Sequence, residues 1–319
     1  MAVYTELADE ELTALLAQYD LGQALSLKGI AEGVENTNYL LETTAGRYIL
    51  TIYEKRVARA DLPFFMAVME HLAAAGLPCP RPALTRAGSP LAEVRAKACA
   101  VIGFLSGLSP KRPSAAQCAS VGRALAQMHS ALATTAQSRP NTLGPADWEA
   151  LVRPRLAQAE ALRPGLRQAV AADLDAVNKA WPQGLPRGVI HADLFPDNVL
   201  FTGDTVSGLI DFYFACSDFL AYDLAVCLNA WCFEGDRSFN LTKGQRMIAG
   251  YESVRPLTPG ERDALPILAR GAALRFFSTR LADWSATPEG ALVKPKHPLE
   301  YADRLAFHAR ANGFSDYGG

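Results

Sequence analysis

The sequence predicts an α+β protein of two lobes, an N-terminal lobe built on an antiparallel sheet and a mainly helical C-terminal lobe. Three observations predict it. Between about Ala24 and Lys55, apolar residues alternate or run between glycines, the pattern of a strand meander. From Ser114 the apolar spacing turns helical and stays so, broken mainly by one hairpin-like stretch. At 319 residues the chain is longer than the usual single-core domain, so two cores are the default. The lobes are expected at residues 1–104 and 105–319.

The elements follow in order. "ADEELTALLAQY", residues 8–19, has helical spacing behind an acidic first turn. The meander turns at "TAGR". "DLPFFMAVMEHLAAAGLPCPRP" is a helix closed by Gly76 and the prolines after it. "LAEVRAKACAVIGFLSG" gives two more strands, the second ending near Gly107, and "PKRP" at 110–113 is a surface turn. "SAAQCASVGRALAQMHSALA" opens the helical part.

Composition narrows the function classes. Half the residues are hydrophobic, a fifth are charged and the net charge is −2, which describes an ordinary globular protein and not a nucleic-acid coat. No apolar run approaches the ~18 residues that cross a bilayer, and the acidic start lacks the features of a signal peptide, so a cytoplasmic protein without membrane partners is expected. Six cysteines (Cys79, Cys99, Cys118, Cys216, Cys227, Cys232) lack metal-ligand spacing and are expected to be buried thiols.

The chemistry concentrates in "GVIHADLFPDNVLF", residues 188–201, where a histidine, two aspartates and an asparagine are enclosed by strand-like apolar residues. "VLFTGDTVSGLI" then reads as a hairpin with a Gly-Asp turn. If Gly203 and Asp204 form the loop, Thr202 opposes Thr205 and Asn198 opposes Leu209, which places Asp211 diagonal to Asn198 on one face. An amide and a carboxylate so placed suit Mg²⁺, which keeps several waters and binds through few protein oxygens plus phosphates. Asp193, just upstream, can accept a proton from a substrate hydroxyl.

These residues carry a resemblance. "HADLFPDN" followed by "LIDF" resembles the HxDxxxxN and metal-binding Asp signature of the aminoglycoside phosphotransferase and choline kinase-like superfamily, relatives of protein kinases. The resemblance implies a protein-kinase-like fold, ATP and Mg²⁺ as cofactors, Asp193 as catalytic base, Asn198 and Asp211 as metal ligands, and His191 as a brace for the loop. "EGVENTNYLL", "YILTIYEKR", "FYFACSDFLAYDLAVCLNAWCF" and "RFFSTRLADW" further resemble the bacterial homoserine kinases of that superfamily. That implies phosphorylation of the side-chain hydroxyl of L-homoserine, in threonine biosynthesis. Choline, ethanolamine, an aminoglycoside or a glycated amine remain alternative acceptors; an acidic acceptor pocket favours those cations, and a basic one an amino acid. A nucleotide-binding scaffold without turnover and a metal-dependent hydrolase are the readings from other classes.

Neither GxxxxGK[ST] nor GxGxxG is present. By resemblance, "EGVENTN" at 32–38 covers the phosphates with Gly33 and Asn36, and "GFLSG" is the hinge whose backbone at Gly103 and Leu105 meets adenine. The strand position of the phosphate-pairing lysine of relatives is Thr51 here, and that of its glutamate partner is Met66. Lys55, two residues beyond Tyr53 on the same face, is the replacement cation, with Glu70 or Asp61 as partner. Tyr213, Asn229, Trp231, Arg275 and Arg280 are the substrate-contact candidates, the arginines because they bind a carboxylate bidentately. Asp223 is expected to cap the helix that follows it.

Overall fold

The computed structural model describes residues 4–30, 36–54, 57–287 and 295–319; Gly33 and Lys55 lie outside them. In chain order the elements are α1 (Asp9–Leu16), β1 (Ala24–Ile30), β2 (Thr37–Thr43), β3 (Gly46–Ile52), α2 (Leu62–Ala74), β4 (Ala92–Val94), β5 (Lys97–Gly103), α3 (Ala115–Leu132), α4 (Pro145–Val152), α5 (Leu156–Leu162), α6 (Leu166–Ala180), β6 (Arg187–Ile190), β7 (Val199–Thr202), β8 (Thr205–Leu209), β9 (Cys216–Phe219), α7 (Leu220–Trp231), α8 (Leu241–Glu252), α9 (Pro259–Ala286) and α10 (Leu299–His308). Contacts divide the chain into two compact units. The first takes in residues 1–108, 134–139 and 199–213, and the second 109–133, 140–198 and 214–319. The division is therefore more than a single cut near residue 104, because the β7–β8 hairpin packs with the first unit.

The first unit is a five-stranded antiparallel sheet of order β1-β2-β3-β5-β4. Strand alternation puts Tyr39, Leu41, Leu50, Ile52, Cys99 and Val101 on one face, where Leu12, Leu15 and Leu16 of α1 cover them. Each large side chain buried there stabilises by about 1.5–3 kcal/mol. Strand β5 stops at Gly103 and not near Gly107. Phe104 is the last residue to reach β3: its N–H donates to the Arg47 carbonyl at 3.3 Å and its ring lies 4.5 Å from the Arg47 guanidinium.

The hairpin forms as expected at its turn, with Gly203 at φ +62 and Thr202 opposite Thr205. Its register then slips. Phe201 opposes Val206, but Leu200 opposes Gly208 and Val199 opposes Leu209, so Ser207 is an extra residue in β8. The Ser207 hydroxyl donates to the Ser106 carbonyl at 2.8 Å, which holds the bulge. Asn198 therefore has no ladder partner at Leu209; it closes a 3-10 turn spanning Pro196–Asn198. Leu108 and Phe201 exchange two backbone hydrogen bonds of 3.0 and 3.1 Å, and Leu209 N–H donates to the Pro78 carbonyl at 2.7 Å. These bonds tie the hairpin to the first unit.

The second unit is mainly helical. Ser114 caps α3 reciprocally with Gln117, each accepting from the other's backbone N–H at 3.0 Å. α3 and α8 cross backbone to backbone, since a Cβ on Gly122 would lie 2.0 Å from the Met247 carbonyl and one on Gly250 2.1 Å from that of Ala119. α7 is apolar on nearly every side and is buried along almost all its length. The short β6 pairs antiparallel with β9. All six cysteines are buried thiols outside any disulfide, as expected.

Candidate active site

The loop after β6 carries His191, Ala192 and Asp193, and its backbone is held at several points. Asp223, fully buried on α7, accepts the His191 N–H at 2.7 Å and the Ala192 N–H at 2.8 Å. It also pairs with His129 Nε2 at 3.0 Å, and His129 Nδ1 lies 2.8 Å from the Tyr251 hydroxyl. Asp223 thus reaches out of its helix to the loop, where a helix cap was expected. Burial pushes its carboxyl upward, but His129 and the His191 amide outweigh burial and hold it below the usual carboxylate range.

From the other side, Arg275 Nη1 donates to the Ala192 carbonyl, and Trp231 Nε1 donates to the Leu194 carbonyl at 2.7 Å. Ala192 sits at φ +63, a left-handed conformation that costs a non-glycine residue roughly 1–2 kcal/mol. Charge-assisted hydrogen bonds contribute about 1.5–3 kcal/mol each, so the bonds from Asp223 and Arg275 outweigh that strain.

The loop presents Asp193 half-buried and Asn198 buried. Asn198 Nδ2 donates to the Asp193 carbonyl at 2.8 Å and to its carboxylate at 3.2 Å. His191 Nδ1 accepts the Asp193 N–H at 3.3 Å. Asp193 can accept a proton from an alcohol. The amide nitrogen of Asn198 being engaged, its Oδ1 is the atom left for a cation. This donor chemistry fits a hard divalent ion such as Mg²⁺.

In the first unit Asp211 is exposed, at φ +65. Tyr213 is committed to the sheet side: its hydroxyl lies 3.1 Å from that of Tyr53, and its ring meets Tyr53 and Phe65 edge-on at 5.3 and 5.7 Å. That packing sets it apart from a substrate contact. Thr51 is buried and donates to Asn38 Oδ1 at 2.8 Å, and Met66 is buried on α2. A neutral hydrogen-bonded pair thus occupies the sheet position where relatives are expected to carry a lysine.

Asn36 is buried and accepts the Glu54 N–H at 3.3 Å, which braces the start of β2. Glu70 pairs with Arg81 at 2.6 Å and Asp61 with Arg139 at 2.7 Å, so both partners considered for Lys55 hold other cations. The Gly103 N–H donates to the Arg81 carbonyl at 2.9 Å and is not available to a ligand, whereas Leu105 is half-buried beyond β5. Lys97, which nothing in the sequence pattern singled out, pairs with Glu54 and with Thr5 Oγ1.

The remaining substrate candidates fall into three groups. Asn229 is fully buried; its amide donates to the Ala225 and Ala269 carbonyls and its Oδ1 lies 2.9 Å from His308 Nε2, so it is a packing residue. Trp231 and Arg275 are equally buried and hold the loop backbone, so they position Asp193 and do not meet an acceptor. Long-range contacts of this kind leave no local signal in a sequence. Arg280 pairs with Glu300 at 2.5 Å, over the ring of Tyr301.

A profile of the phosphotransferase enzyme family (APH) matches residues 26–257. The homoserine kinase of Methylobacterium sp. (strain 4-46) is 59% identical over 318 residues, covering 100% of this chain and 99% of that protein. That of Xanthobacter autotrophicus is 58% identical over the same span. Among solved structures, an amicoumacin kinase in complex with AMP-PNP and Ca2+ superposes with a TM-score of 0.68 at 16% identity, over 95% of this chain and 92% of that one. A spectinomycin phosphotransferase in complex with ADP and spectinomycin gives 0.69 at 14%, over 98% of each chain. The fold is that of the two-lobed, kinase-like phosphotransferases, and the chain belongs to the phosphotransferase enzyme family.

Proposed function

We propose that this protein is a homoserine kinase, transferring the γ-phosphoryl group of ATP to the side-chain hydroxyl of L-homoserine to give O-phospho-L-homoserine and ADP. The observation that carries the reading is the 59% identity to a curated homoserine kinase across the whole of this chain. Identity of that extent reaches the acceptor end of the chain as well as the nucleotide end.

Asp193 orients the acceptor hydroxyl and takes its proton as the oxygen attacks in line. Asn198, through Oδ1, and Asp211 would hold the Mg²⁺. That ion, when bound, supplies charge neutralisation across the transferred phosphoryl group. Asp223, Arg275 and Trp231 fix the loop so that the Asp193 carboxylate keeps one position through turnover. Arg280 of α9 and Arg304 of α10, which share Glu300, favour an acceptor that carries a carboxylate over purely cationic acceptors such as choline. Incubation of the purified protein with ATP, Mg²⁺ and L-homoserine, with ADP release and phosphohomoserine both measured, tests this; ADP formation that depends on choline or an aminoglycoside instead would overturn it.

A further inference from the structure

Helices α9 and α10 of the second unit bring two arginines onto one carboxylate. Arg280 Nη1 donates to Glu300 Oε2 at 2.5 Å, and Arg304 Nη2 donates to Glu300 Oε1. Tyr301 lies between the two cations, its ring centre 4.4 Å from the Arg280 guanidinium carbon and 4.2 Å from that of Arg304. Arg280 and Arg304 are each 8% exposed and Tyr301 is fully buried. Two guanidinium groups on a single anion leave a surplus positive charge, with both arginines nearly buried and the Glu300 side chain 43% exposed.

Among the described residues, the Tyr301 hydroxyl and Arg304 Nη1 are buried polar atoms without a hydrogen-bond partner. Neighbouring buried donors left open beside excess positive charge are suited to one class of group, a planar anion with two acceptor oxygens. Arg304 offers a fork and Tyr301 a hydroxyl. Glu300 does not serve as that anion for Nη1, since its two oxygens hold Arg280 and Arg304 Nη2.

The cluster is continuous with the catalytic loop. The Tyr301 ring lies against Phe276 at 5.3 Å, and Phe276 meets Phe195, two residues beyond Asp193, at 4.8 Å. Burial raises the Tyr301 phenol, Arg304 and Arg280 lower it, and the charges of Glu300 and then Asp193 add to the rise, so Tyr301 feels the charge of Asp193.

We infer that Arg304 Nη1 and the Tyr301 hydroxyl, backed by Arg280, form the subsite that takes the carboxylate of the acceptor amino acid. The inference rests on the homoserine reading and deepens it. Glu300 holds the two guanidinium groups in place, and the bound carboxylate satisfies the two open donors while its hydroxyl end is directed to Asp193. An acceptor without a carboxylate leaves both donors unsatisfied and is discriminated against for that reason.

The test compares L-homoserine with its decarboxylated analogue as acceptors for the full-length wild type, Tyr301→Phe and Arg304→Gln. The wild type is expected to prefer L-homoserine. Each substitution is expected to lower that preference, expressed as the ratio of kcat/KM values, by roughly tenfold or more, chiefly through KM for L-homoserine and with KM for ATP little changed. If Arg304→Gln does not fold, the near-isosteric Tyr301→Phe decides alone. A wild type that phosphorylates L-homoserine with no preference over the analogue, or variants that keep the preference, would overturn the subsite while leaving the functional reading intact. A wild type that turns over no L-homoserine removes the functional reading, and the subsite with it.

Discussion

Asp223 and Ala192 are joined by a hydrogen bond of 2.8 Å from the Ala192 amide to the buried carboxylate, and Ala192 is held there at φ +63. One side chain on α7 thereby sets the backbone from which Asp193 projects. An amide in its place can accept from only one side. Asp223→Asn is expected to destabilise the protein by about 3 kcal/mol and to lower kcat more than tenfold, with less effect on KM for ATP. Denaturant unfolding beside steady-state kinetics measures both, and unchanged kcat in a destabilised variant would remove the positioning role.

Trp231 makes a narrower contribution. Trp231→Phe keeps the aromatic body but removes the donor to the Leu194 carbonyl. A loss of about 1–2 kcal/mol in stability is expected, from the missing bond and the carbonyl left without it. The substrate KM is expected to stay within about twofold, because the indole faces the loop backbone and not an acceptor. A large rise in KM for the acceptor would return Trp231 to the substrate contacts.

His308 gives stability a pH dependence. Its Nε2 lies 2.9 Å from Asn229 Oδ1 and its Nδ1 2.9 Å from the Tyr317 hydroxyl. Since the Asn229 amide nitrogen already donates elsewhere, its oxygen accepts from His308 and Nδ1 accepts from Tyr317, which defines a neutral ring. Burial, then the charges of Arg304 and Arg270, lower the imidazole to about 3. The unfolded chain protonates this group near pH 6.5, so it binds more protons than the folded state below that pH. Its contribution to stability is complete above about pH 6.5 and declines at about 1.4 kcal/mol per pH unit on the way down toward pH 3. His308→Gln is expected to flatten that slope in denaturant titrations between these limits. Parallel slopes for the two proteins would contradict the assignment.

Asn198→Ala separates the cation from the fold. Its amide bonds are to Asp193 alone among the contacts above, so a stability cost of only about 1–2 kcal/mol is expected. Activity is expected to fall at least a hundredfold, with a higher Mg²⁺ concentration at half-maximal rate. A Mg²⁺ dependence identical to that of the wild type would exclude Asn198 as a ligand.

Much of the architecture was legible because it is written in local periodicity. Tyr39, Leu41, Leu50 and Ile52 alternate as a half-buried meander must, and the turn at Gly203 needs only its own residues. The slip at Ser207 was not legible, because the bulge is held by Ser106, far back in the chain. For the same reason the roles of Asp223, Arg275 and Trp231 could not be read: each acts on a peptide group remote in sequence. Residue type pointed to Arg280 as a carboxylate partner; only coordinates show that its group includes Arg304, which lies in an ordinary amphipathic helix pattern.

The most direct test is the ATP-dependent phosphorylation of L-homoserine by the purified protein, measured beside Asp193→Asn. Equimolar ADP and O-phospho-L-homoserine are expected from the wild type, with a fall in kcat of roughly 100- to 10,000-fold in a variant that remains folded and still binds ATP. A folded wild type that forms no phosphohomoserine, or an Asp193→Asn variant of undiminished kcat, would contradict that expectation.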